Sequence, residues 1–367
     1  MTEKPALQDV ANYGNLVVAH ANARRGKSRQ YWVRQCDRHK EKYLKRLEHD
    51  LLTGQYKTSE YRNKTIMDSR KERLISRLPY YPDRIVHWAI LYQLEPLLLA
   101  SFSDRTHAAI PNRGIHTALH QIRGTMLTRH DLRYCLKIDI RHYFQSIDHD
   151  ILKEKLAELV DDEPLRNLLY GIVDSFPHGI PIGNYTSQYF ANFYLNSFDR
   201  YLESLGLVYV RYMDDVVIFG ESADLLHKVR KEVEHYLEMY LHLSVKDNWQ
   251  VFPVAKRGVD FVGYRIYPNR VILRKSTFRA MRRKLGHVYR RVSDGRWSEH
   301  DRCVVASYAG WCRYCTPKAR QSIYFKYFSQ ILHKLPAGLE EYEKKIRKLL
   351  LSGTPYEKTS AGCRRKP

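Results

Sequence analysis

Residues 207–219, LVYVRYMDDVVIF, set the tightest limit on what this chain can fold into. Two runs of β-branched and aromatic residues flank Met213-Asp214-Asp215, and the pattern reads as a hairpin with carboxylates at its tip. Like charges a few ångströms apart repel, so one carboxyl keeps its proton unless a cation neutralises the pair. Hard cations such as Mg²⁺ take a few carboxylates and complete their shell with water and substrate phosphate. A third carboxylate lies in residues 133–140, RYCLKIDI, where Leu136 and Ile138 point one way and Cys135, Lys137 and Asp139 the other. If these strands are neighbours, Asp139 and Asp214 hold two ions about 4 Å apart, the arrangement for in-line phosphoryl transfer. An isolated Asp-Asp is usually a solvated turn; the flanking strands and Asp139 weigh against that reading.

Charge points the same way. Sixty-two Lys and Arg face 40 Asp and Glu, a net +22 that calls for a polyanionic partner, nucleic acid first and an anionic membrane second. No apolar run reaches the roughly 18 residues of a membrane span. The start, MTEKPALQDVANYGN, lacks the apolar core of a signal peptide, so the expectation is a cytoplasmic protein. The six cysteines (Cys36, Cys135, Cys303, Cys312, Cys315 and Cys363) are scattered and expected to be reduced. Cys312 and Cys315 form a lone CxxC, a weak zinc signal more simply read as packing.

Along the chain, residues 28–53 read as one basic amphipathic helix carrying Tyr31, Tyr43, Leu44, Leu47 and Leu51, with Gly54 as its stop. Residues 60–82 are rich in Arg and Lys and end in a helix-breaking Leu78-Pro79-Tyr80-Tyr81-Pro82. A long apolar helix is expected over 83–99 with Asp83 as N-cap. Further helices are expected over 149–173, 183–204 and 224–242. A short β pair is expected at 260–266 and 270–274, then a basic helical stretch from Thr277 and a disordered tail over 351–367.

Tyr212-Met213-Asp214-Asp215 resembles the YxDD box of reverse transcriptases, and LKIDIRHYFQSIDHDIL (136–152) resembles their first catalytic motif. The resemblance covers roughly residues 60–330. It implies an α+β, right-hand polymerase with fingers, a palm of antiparallel sheet with helices, and a helical thumb. The implied division is a basic helical extension over 1–59, fingers over 60–132, palm with a fingers insertion over 133–260, and primer grip and thumb over 261–350. It implies RNA-directed synthesis of DNA with Mg²⁺, Mn²⁺ serving as a substitute. Asp139, Asp214 and Asp215, with the main chain of Ile140, would bind the metals. Lys246 would act as general acid to the leaving pyrophosphate. Phe144 would exclude a ribose 2′-OH by bulk. Lys71 and Arg73, with Arg77 a weaker candidate, would grip the triphosphate. Tyr212, Met213, Gly263 and Tyr264 in the hairpins and Arg279, Arg282 and Arg283 in the basic helix would meet nucleic acid. Tyr308, Trp311 and Tyr314 read equally as base-stacking or core residues.

Residues 180–195, IPIGNYTSQYFANFYL, stand at the family's QGxxxSP motif, with Ile182 for Gln and Gln188 for Pro. The form IGNxxSQ resembles the reverse transcriptases of diversity-generating retroelements, which miscopy template adenines. There Ile182, Gly183, Asn184 and Gln188 line the nucleotide site, and an aliphatic in place of an amide removes a discriminating hydrogen bond. The implied partners are template RNA, the RNA–DNA duplex, dNTPs and a small basic accessory protein, with no membrane. Bacterial reverse transcriptases of phage (antiviral) defence remain an alternative. So does a maturase of group II intron type, which YAGWCRYC (308–315) faintly resembles. By its length and its lack of paired metal signatures, the stretch 331–367 is expected to hold neither a ribonuclease H domain nor a homing endonuclease.

Overall fold

The computed structural model describes residues 4–68 and 71–352, leaving out the side chains of Asp68 and Lys71. The expected tail is outside the described residues from 353 on. The chain divides into two compact units: Met1–Gly114, Leu136–Ile218 and His227–Gln250 in the first, Ile115–Cys135, Phe219–Leu226 and Val251–Pro367 in the second.

The helix expected over 28–53 is two, Tyr31–Arg38 and Lys40–Leu52, because His39 takes φ −123°, ψ 40° between them. Val33 and Cys36 are buried from the first and Leu44, Leu47 and Leu51 from the second, so one apolar stripe runs across the break. Gly54 follows at φ +69°, the left-handed stop that glycine favours. The charge-rich stretch after it is an antiparallel hairpin, β1 (Arg62–Asp68) with β2 (Lys71–Arg77), in register from Arg62 opposite Arg77 to Asp68 opposite Lys71. The apolar helix runs Ile85–Ser101, and Asp83 is not its cap. A wide turn over Tyr80–Arg84 precedes that helix, so Asp83 points back at the incoming chain. Fully buried, it accepts from the Tyr56 hydroxyl at 2.9 Å and the Ser59 N–H at 3.0 Å.

The central sheet has strand order β4-β5-β3-β6, with β3 Tyr134–Asp139, β4 Val208–Tyr212, β5 Asp215–Gly220 and β6 Gln250–Pro253. The two strands inferred to be neighbours, β3 and β5, lie side by side. Leu136, Ile138, Val210, Val216, Val217 and Ile218 are buried. The helices expected over 149–173 and 183–204 are each split. His149–Leu159 and Glu163–Asp174 are separated where Asp162 caps the Leu165 N–H, and Tyr185–Tyr194 and Asn196–Ser204 are separated at Leu195. The Ala223–Leu241 helix falls where periodicity placed it.

In the second unit β7 (Val259–Phe261), β8 (Tyr264–Ile266) and β9 (Val271–Leu273) form a three-stranded antiparallel sheet. The helix Lys275–Ser293 buries Met281, Leu285, Val288 and Val292 and exposes Arg279, Arg282 and Arg283, a clean amphipathic division. Cys312 and Cys315 are buried, the Cys312 thiol lying 3.5 Å from the sulfur of Met281. Among the described residues no helix is long and apolar enough to cross a membrane.

Candidate active site

Two residues, Met213 and Asp214, join β4 to β5. Met213 takes φ +58°, a conformation costing a side-chain-bearing residue on the order of 1 kcal/mol or more. Arg211 holds it there. Its guanidinium, 0 % exposed, donates to the Met213 carbonyl at 3.0 Å, to Asn192 Oδ1 at 3.3 Å and to Asp199, itself 1 % exposed. Thr106 donates to the same carboxylate at 2.9 Å. A buried charge is tolerable only when paired and hydrogen-bonded, and here Asp199 and Asn192, both on helices, hold the guanidinium that bonds the hairpin tip. Sequence reading passed over Arg211, although a cation inside an apolar strand was its signal.

The tip meets the end of β3. The Ile140 N–H donates to the Asp214 carbonyl at 3.3 Å, the Lys246 N–H to the Asp139 carbonyl at 2.8 Å, and the Arg141 N–H to Ser244. Asp139, Ile140, Asp214 and Lys246 are thus gathered by main-chain bonds. Burial, then the neighbouring Asp139 and Asp215 carboxylates, push the Asp214 carboxyl up to about 7. The other two aspartates each have a cation. Lys246 Nζ lies 2.6 Å from Asp139 Oδ1 and Lys137 Nζ 3.5 Å from Asp215 Oδ1. Lys137 is a second residue the sequence did not single out.

The donor set suits a hard divalent ion. Asp214 sits among carboxylates with a raised affinity for positive charge, and Asp139 offers an oxygen already occupied by a cation. Among the described residues no group of three or more His, Cys, Asp or Glu side chains is placed to hold a metal. Mg²⁺ needs no such group, since one or two carboxylates with water and phosphate complete its shell.

Phe144, half-buried, sits in the short helical turn Tyr143–Gln145. Its carbonyl accepts from the Ile180 N–H at 2.8 Å, and a Cβ on Gly179 would stand 2.2 Å from it, so only glycine fits there. Residues 182–184 turn against the β1–β2 hairpin. The Ser76 N–H donates to the Ile182 carbonyl at 3.0 Å. Gly183, at φ +136°, would place a Cβ 2.6 Å from the Ser76 carbonyl. Ile182 is half-buried, Asn184 buried and Gln188 exposed. Arg73 and Arg77 are exposed on β2; the side chain of Lys71 is outside the described residues. Tyr212 is half-buried.

In the second unit, Gly263 (φ +90°) leaves room for Trp311, whose ring would lie 2.6 Å from a Cβ there. Tyr264 was expected to meet nucleic acid but is fully buried, its hydroxyl donating to the Trp311 carbonyl at 2.9 Å. It organises the hairpin from inside. Trp311 packs on Tyr264, and Tyr314 stacks on His116 with ring centroids 3.5 Å apart.

A family profile described as "Reverse transcriptase (RNA-dependent DNA polymerase)" matches residues 61–266, more than half of the chain. The chain belongs to the reverse transcriptase family. As a reverse transcriptase it is 25 % identical to Protein YkfC of Escherichia coli K12 over 62 % of this chain and 72 % of that protein. It is 26 % identical to the Group II intron-encoded protein LtrA of Lactococcus lactis subsp. cremoris, over 55 % of this chain and 35 % of LtrA. It thus spans about a third of that relative's length. Apo telomerase from Candida tropicalis shares the reverse transcriptase fold at a TM-score of 0.50 and 11 % identity, over 83 % of this chain and 61 % of that one.

Proposed function

We propose that this reverse transcriptase copies a template RNA into DNA, with Asp139 and Asp214 holding the divalent ions of nucleotidyl transfer. One observation carries the reading: the Ile140 N–H, next to Asp139, bonds the Asp214 carbonyl at 3.3 Å, and burial together with the Asp139 carboxylate this brings near helps hold the Asp214 carboxyl up to about 7. Two Mg²⁺ ions bound there would activate the primer hydroxyl and neutralise the phosphates. With a divalent ion on Asp139, Lys246, now 2.6 Å from that carboxylate, would be released and could give its proton to pyrophosphate. Phe144 fills the space a 2′-OH would need, and Arg73 and Lys71 on β2 meet the triphosphate. In this reading residues 60–132 act as fingers, 133–260 as palm, and 261–350 as primer grip and thumb, following the basic helical extension. Arg279, Arg282 and Arg283 track the duplex backbone by charge.

Ile182 favours a diversity-generating subtype. It offers only its main chain to the turn that holds Asn184, so discrimination at the templating base has one fewer polar partner. A small basic accessory protein and a cytoplasmic setting go with this reading. The likeness to LtrA favours a second reading, a group II intron-type enzyme working with an intron RNA.

Primer extension on a defined RNA template tests both levels. The parent is expected to incorporate dNTPs with Mg²⁺, and Asp214→Asn to lose extension while still binding RNA; full extension by that variant would contradict the proposal. Sequencing the product separates the subtypes. Errors concentrated at template adenines support the retroelement reading, and errors spread evenly over the four bases support the intron-type one.

A further inference from the structure

Asn184, which lines the nucleotide site in the proposed reading, carries a side-chain amide whose two ends differ, and its hydrogen bonds settle which end faces Tyr61. The Ser175 hydroxyl lies 2.6 Å from the Ile172 carbonyl, which can only accept, so the serine proton is committed there. At the 2.9 Å contact between Tyr61 and Ser175 the serine oxygen therefore accepts and the tyrosine donates. That uses the one proton of Tyr61. Its oxygen can then only accept from Asn184, which donates Nδ2–H at 3.0 Å. Protons run one way, from the Asn184 amide to Tyr61, Ser175 and the Ile172 carbonyl. The Asn184 oxygen is turned away from Tyr61.

Tyr61 also immediately precedes β1, while Ser76 on β2 holds the Ile182 carbonyl. The 182–184 turn is gripped by both strands at the open end of one hairpin, from Tyr61 through a side chain and from Ser76 through the main chain. Edge-to-face packing of Phe176 on the Tyr61 ring, centroids 5.2 Å apart, fixes where the hydroxyl points.

We propose that Tyr61 is a positioning residue for nucleotide selection: through Asn184 it makes the 182–184 turn present a hydrogen-bond acceptor, and so favours a donor group on the bound nucleotide. The inference rests on the polymerase reading, in which Asn184 lines the nucleotide site. Without the tyrosine hydroxyl the amide has no directional partner and samples both orientations. Half of its settings then offer the nucleotide a donor, which repels the same group.

The test is Tyr61→Phe in steady-state primer extension, with Ser175→Ala as a second variant that frees the tyrosine proton without touching the ring. Each is expected to raise KM for dNTP by about five-fold, as loss of one net hydrogen bond would, with kcat falling less than KM rises, and to change the ratio of errors among template bases. In an Asn184→Ala background Tyr61→Phe should add nothing to either quantity. Variants indistinguishable from the parent, or a Tyr61→Phe effect that persists undiminished without Asn184, would overturn the assignment. Hydrogen exchange of the Asn184 side-chain amide reads the relay without catalysis. Tyr61→Phe is expected to speed it at least ten-fold, and unchanged exchange overturns the relay. A parent that fails to extend any primer would instead contradict the polymerase reading, leaving the exchange measurement to decide the relay.

Discussion

At the scale of single residues, charge compensation separates groups that look alike in sequence. Asp214 and Asp215 are adjacent, yet Asp215 has Lys137 beside it and Asp214 is held up to about 7 by burial and two carboxylates. Lys246 lies 2.6 Å from Asp139, so in the proposed reading it would compete with a metal ion for that carboxylate. Lys246→Ala is therefore expected to tighten Mn²⁺ binding while lowering kcat by roughly 10²–10⁴, the range for loss of a general acid. Titration with Mn²⁺ and single-turnover kinetics check the two halves. Arg211 is fully buried against Asp199, so Arg211→Met strands a carboxylate, and urea unfolding is expected to show a loss of roughly 3–5 kcal/mol. His87 gives a pH signature. Buried, with Nδ1 on Thr186 and no partner for Nε2 among the described residues, it is pushed down to about 4. The unfolded chain then binds the extra proton first, so stability is full above about pH 6.5 and falls as pH drops toward 4, by up to about 3 kcal/mol. His87→Gln should flatten that slope in unfolding measured from pH 7 to 4.

At the scale of elements, the legible parts were those whose chemistry is local. The β4–β5 hairpin announces itself by two continuous runs of β-branched and aromatic residues, Val216 to Phe219 being buried on both faces, and the strand bearing Asp139 by Leu136 and Ile138. The β1–β2 hairpin did not, because nearly every described side chain on it is exposed and nothing alternates. Helices over 28–53 and 183–204 were read as continuous because the apolar stripe crosses His39 and Leu195 without interruption. Arg211, Lys137 and Tyr61 act through partners 12, 78 and 123 positions away, respectively Asp199, Asp215 and Asn184, which spacing does not show. The turn at 182–184 is where elements meet most tightly. Gly183→Ala would drive a Cβ to 2.6 Å from the Ser76 carbonyl at φ +136°. It is expected to break the Ser76–Ile182 bond and raise KM for dNTP well above any change in RNA affinity, as primer extension and filter binding would show.

At the scale of the whole molecule, a net +22 makes association with nucleic acid a matter of salt. Substituting Arg279, Arg282 and Arg283 together by Ala, all exposed on one helix, should lower the slope of log K against log salt for an RNA–DNA duplex by about 2–3. In the proposed reading such charge would bring template and primer to the protein, and the carboxylates would supply the chemistry. Mn²⁺ binding in the presence of an RNA–DNA duplex and an unreactive dNTP analogue, followed by loss of the free-ion EPR signal, tests that claim most directly. The parent should bind two ions per chain, and Asp139→Asn and Asp214→Asn should each lose at least one. Equal stoichiometry and affinity in the parent and both variants would contradict it.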